Sequence, residues 1–174
     1  MSFPIHFLYY LIAVLFIALF AQISIDLPIG QTMIPITGQT FAVLLVGYIL
    51  RAQRGMFAVG LYVVLGLVGL PIFADGKAGL EVLFGGSGGY LIGFIAGAGI
   101  AGIVPQKPFI FWNALLAMTI GTMVILLFGV GRLIQLYGIE KGLQYGLYPF
   151  WKGALIKIIL GAGVAWMWSL KKKP

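Results

Sequence analysis

No cysteine occurs anywhere in the 174 residues, which excludes disulfides, thiolate nucleophiles and thiolate metal ligands. Histidine is nearly absent as well, with His6 the single example, and Asp and Glu together number four. A metal centre of ordinary ligand count is therefore not expected, nor is an intramembrane protease or transferase built on clustered acids and histidines. Only 9% of residues are charged, against about 25% in an average soluble domain. What remains is apolar: 61% hydrophobic residues and a mean hydropathy of +1.10. That composition describes one integral membrane domain, with nothing left over for a soluble catalytic unit or an ATPase. The net charge of +7 does not signal nucleic acid, because the basic residues sit at the ends of apolar runs, where topology signals belong.

Six apolar runs predict an all-α membrane protein of six transmembrane helices, about Phe7–Ile25, Gln39–Leu50, Gly55–Leu70, Gly89–Val104, Phe109–Val130 and Phe150–Leu170. The N-terminus lacks the basic start of a signal peptide, so the first run reads as a span. In the fourth run Gly89, Gly93 and Gly97 line one face and permit close helix contact. Three pieces break the pattern. Leu27–Gly38, with two prolines and two glycines, is expected to be a loop that dips toward the membrane. Pro71–Gly88 is a long irregular stretch, and Arg132–Tyr148 reads as an interfacial segment. With both termini in the cytoplasm, the inner side carries six basic residues (Arg51, Arg54, Lys107 and Lys171–Lys173) and no acid. The outer side then holds Lys77, Arg132, Lys141 and Lys152 with all four acids, so the positive-inside rule is obeyed and the three irregular pieces share the outer face.

Lys157 stands out, an ammonium about two turns into the last helix with no Asp or Glu inside any span. Its alternatives are an interior ligand contact and a stem that snorkels to the headgroups. Thr37, Gln39 and Thr40 offer donors and acceptors at the start of the second helix, either for a polar ligand or for capping. Trp112, Trp151, Trp166 and Trp168 lie near span ends, as interfacial anchors do.

Four segments in order, IPITGQTFAVLLVG (34–47), YVVLGLVGLPIFADG (62–76), LFGGSGGYLIGF (83–94) and YPFWKGALIK (148–157), carry a resemblance. The chain resembles the BioY family, the biotin-binding S components of energy-coupling-factor (ECF) transporters. That resemblance implies the ECF S-component fold, with biotin bound near the outer face under loops 27–38 and 71–88. It also implies partners in the bilayer and cytoplasm, a membrane T component and two ATPases, with no cofactor of its own and no enzymatic activity. By resemblance, Lys157 corresponds to the lysine of the family's Asp-x-x-Lys pair, whose Asp position is Ala154 here. Gly86 and Ser87 stand where the family's glycine motif has Pro-Thr. The expected substrate-binding set is Lys157, Gln39, Thr37, Phe73, Asp75, Ser87, Gly89 and Tyr90. Lys157 would hold the carboxylate or the ureido oxygen, and Phe73, Tyr90 and the glycine face would cradle the apolar part. An S component for thiamine, riboflavin or a biotin analogue, and a transporter acting without ECF partners, remain the alternatives.

Overall fold

A computed structural model describes the backbone of residues 3–29, 32–107 and 110–170, with side chains other than those of 3–6, 26–36 and 169–170. Lys171–Lys173 and the side chains of His6 and Asp26, which enter the charge and histidine readings, lie outside the described residues. The order is α1 (Phe3–Ala21), β1 (Ser24–Ile29), β2 (Thr32–Thr37), α2 (Gln39–Leu50), α3 (Ala52–Leu67), α4 (Leu80–Phe84), α5 (Gly88–Ile103), α6 (Ile110–Tyr137), α7 (Ile139–Gly146) and α8 (Phe150–Leu170). Two helices, Ile110–Tyr137 and Phe150–Trp168, are each long and apolar enough to cross a bilayer unaided, and the apolar stretches Phe7–Ala21, Gln39–Leu50, Ala52–Leu67 and Gly88–Ile103 are shorter. Rows of bare aliphatics, such as Leu8, Ile12, Leu15 and Leu19 on α1 and Leu155, Ile156, Ile159 and Leu160 on α8, face outward. In water so much exposed apolar surface would drive aggregation; against lipid it is at home.

The bundle packs around α2 and α5. In α2, Ala42 through Tyr48 are buried, so this 12-residue helix is sheathed by protein along most of its length. The α5–α6 contact is built on small residues. A Cβ at Gly93 would approach the Ile125 backbone to 3.0 Å, and one at Gly97 would meet the Gly121 carbonyl at the same distance. The close seam expected from Gly89, Gly93 and Gly97 is present, and its partner is α6.

Several boundaries differ from the sequence reading. The first helix stops at Ala21 rather than Ile25, and the expected loop at Leu27–Gly38 is a β-hairpin. Its β-branched residues favour extended backbone, and its prolines are tolerated for a geometric reason. The Gly38 N–H donates to the Ile23 carbonyl at 2.8 Å, which makes that pair hydrogen-bonded. By alternation, the pairs Asp26–Pro35 and Pro28–Met33 are then non-hydrogen-bonded, so each proline nitrogen faces an open edge where no donor is required. The third helix begins three residues early, at Ala52, because Arg51 makes the reversal itself at φ 71°. Finally, α6 runs through Arg132 to Tyr137, and only the remainder of the supposed interfacial segment is a separate helix, α7. The break falls at Gly138, whose φ of 85° suits a residue without a Cβ.

Candidate functional site

A cavity of about 470 Å³ opens at one end of the bundle, where α2, α5 and α8 begin and α6 ends. The segment between α3 and α5 covers it and is firmly seated. The ring of Phe73, 2% exposed, meets Tyr62 edge-on and fills the space beside Gly66. Gln39, 5% exposed, donates from Nε2 to the Tyr62 hydroxyl at 2.5 Å. That hydroxyl in turn donates to the Ile72 carbonyl at 2.9 Å, and Gln22 donates to the Phe73 carbonyl at 3.0 Å. From the other side, the Arg132 guanidinium donates to the carbonyls of Phe84 and Gly85. Backbone this irregular survives beside a membrane because its polar groups are satisfied by protein.

The floor of the cavity is polar at one corner. Lys157 Nζ donates to Thr40 Oγ1 at 2.7 Å and to the Thr37 carbonyl at 3.1 Å, so the ammonium points into the bundle and does not snorkel. It has no ion-pair partner among the described residues. Two of its three N–H donors are engaged by neutral acceptors, which leaves one for a ligand. The Thr37 hydroxyl accepts the Gln39 N–H at 3.3 Å, so the turn into α2 is braced as the polar cluster suggested. The remaining walls are aromatic and aliphatic, with Phe94, Leu126, Leu133 and Phe150 prominent.

Of the residues expected from sequence, Lys157, Gln39, Thr37, Phe73, Ser87 and Tyr90 line this cavity. Asp75 and Gly89 do not. Asp75 is exposed and paired with Lys77 at 3.2 Å. Gly89 is buried against the Phe128 carbonyl and the Arg132 Cβ, so the glycine face packs on α6 and does not cradle a ligand. Tyr90 has a second duty: its hydroxyl donates to the Gly146 carbonyl at 2.9 Å and so fastens α7 to α5. Tyr137, Tyr145 and Thr122 line the cavity without having been singled out. The tyrosines lie in the stretch read as interfacial, and Thr122 is one of two threonines in the middle of an apolar helix, the other being Thr119, whose hydroxyl donates to the Leu115 carbonyl. Ala154, at the Asp position of the motif, also faces the cavity, one turn from Lys157.

A profile described as the BioY family matches residues 4–172. The chain belongs to the BioY family. A biotin transporter BioY from Thermotoga maritima is 39% identical over 142 residues, covering 81% of this chain and 83% of that protein. Biotin transporter BioY2 from Lactococcus lactis subsp. cremoris is 35% identical over 147 residues, covering 82% and 80%. Among solved structures, the S-component for biotin from an ECF-type ABC transporter superposes with a TM-score of 0.82 at 25% identity, covering 97% of this chain and 92% of that one. The mostly helical fold is thus that of a biotin S-component. BioY is a family of transport proteins, and nothing in it calls for a catalytic residue.

Proposed function

We propose that this BioY-family chain binds biotin in the 470 Å³ cavity and delivers it across the plasma membrane as the substrate-specific component of an ECF transporter. The observation that carries the reading is the cavity itself. It has mainly apolar walls and one corner where Lys157, Thr37, Thr40 and Gln39 gather. Ligand sites of this size commonly pair apolar walls with a few placed polar groups. Biotin matches that division: an apolar bicycle and chain, a polar ureido group and a carboxylate. Lys157 supplies the inner donor, Thr40 and Thr37 orient it, and Phe73, Tyr90 and Phe150 enclose the apolar part.

Six crossings, α1, α2, α3, α5, α6 and α8, place the termini on the cytoplasmic side and the cavity toward the outside. The asymmetry of Lys and Arg supports that orientation. The short α2 is accommodated by its protein sheath and the other short helices by local thinning of the bilayer. The sequence carries no nucleotide-binding motif, so release inward draws energy from a membrane T component and two ATPases.

Calorimetric titration of biotin into the detergent-solubilised protein tests this reading, with thiamine and riboflavin alongside. Saturable binding of biotin that Lys157→Ala weakens is the expected result. Failure to bind biotin, or a preference for one of the other vitamins, overturns it.

A further inference from the structure

The charge lining the cavity is one-sided. Lys157 and Lys77 line it, and no Asp or Glu does so among the described residues. The two lysines differ in setting. Lys157 sits inside with its ammonium on Thr40 and the Thr37 carbonyl, whereas the side chain of Lys77 is 59% exposed. Lys77 is nonetheless presented from a fixed base. The Phe73 N–H donates to the Lys77 carbonyl at 3.1 Å, the Gly76 N–H to the Phe73 carbonyl at 3.1 Å, and the Lys77 N–H to the Ala74 carbonyl at 3.2 Å. This closed turn rests on the buried Phe73 ring, and Asp75 occupies its left-handed position at φ 58°. Asp75, whose side chain is 39% exposed and off the cavity, holds Lys77 Nζ at 3.2 Å.

We infer that Lys77 determines specificity for the ligand's carboxylate at the cavity rim, and that the ligand takes the place of Asp75 as its partner. This rests on the reading of the cavity as a site for biotin. An exposed ion pair two residues apart is weak and easily exchanged. A carboxylate placed at the rim keeps much of its hydration and gains Lys77, while burying it beside Lys157 would strip that hydration away. The single free N–H of Lys157 suits a neutral acceptor such as the ureido carbonyl. Lys77 therefore selects the free acid over neutral derivatives, and Asp75 moderates that preference by competing for the same ammonium.

Affinities for biotin and for its carboxamide, measured by calorimetry on the solubilised full chain, test the assignment. The wild type is expected to favour the acid roughly tenfold. Lys77→Gln is expected to abolish that ratio with the carboxamide affinity unchanged, and Lys77→Arg to retain it. Asp75→Asn is expected to tighten binding of the acid alone, by up to about fivefold. Equal binding of acid and carboxamide by the wild type, a ratio that Lys77→Gln leaves intact, or weaker acid binding in Asp75→Asn would each overturn the role of Lys77 while leaving biotin binding in place. A wild type that binds neither compound overturns both readings together.

Discussion

Lys157 is the residue whose environment says most about ligand chemistry. Its ammonium is held by a hydroxyl and a carbonyl, with no carboxylate in contact among the described residues. Truncation removes a charged donor from a mostly apolar cavity. Lys157→Met, which keeps an unbranched apolar stem, is expected to weaken biotin binding by about 2 kcal/mol, roughly thirtyfold, with little loss of thermal stability. Titration calorimetry paired with a melting curve separates the two effects. Tyr48 poses the opposite case. Its side chain is buried, and its hydroxyl has no hydrogen-bond partner among the described residues. Tyr48→Phe keeps the ring and removes the unsatisfied group, so the solubilised protein is expected to gain about 1 kcal/mol in stability and keep its affinity for biotin.

The α2–α3 reversal depends on two opposing contributions at a single residue. Arg51 adopts φ 71° and ψ 165°, a conformation that penalises any side chain, yet its guanidinium donates to the Val104 carbonyl at 2.7 Å and so caps the end of α5. Arg51→Ala keeps the strain and loses the cap, whereas Arg51→Gly loses the cap and relieves the strain. The glycine variant is expected to be more stable than the alanine one by about 1 kcal/mol, measured as the difference in Tm. The α5–α6 seam is less forgiving. A leucine at Gly97 would drive into Ile125 and the Gly121 backbone, so Gly97→Leu is expected to abolish a folded, monodisperse protein in size-exclusion chromatography.

For the whole molecule, the membrane orientation makes a prediction that the cysteine-free sequence renders clean to test. Single cysteines introduced at Lys77 and at Arg54 lie at opposite ends of the proposed bundle. A membrane-impermeant maleimide added to intact cells is expected to label the first and not the second; the reverse pattern would invert the topology.

Composition and periodicity determined a great deal. The membrane class, the helices Gln39–Leu50 and Phe150–Leu170, the glycine seam and the polar corner around Lys157 were all legible, because each depends on residues close in sequence or on an ammonium that apolar surroundings cannot ignore. Helix ends were read less well. Ile25 counts as one more apolar residue in a run, and only pairing with Ile36 across the hairpin makes it part of a strand. Tertiary structure alone decided which face of each helix meets the cavity. The glycine spacing marked Gly89 for a helix contact but did not name α6 as the partner, and nothing in the sequence marks Lys77 as lining the cavity that its neighbour Asp75 avoids. The physical reason is that a ligand site is a relation among distant segments. Local chemistry states which groups are available, and only packing states which of them face one another.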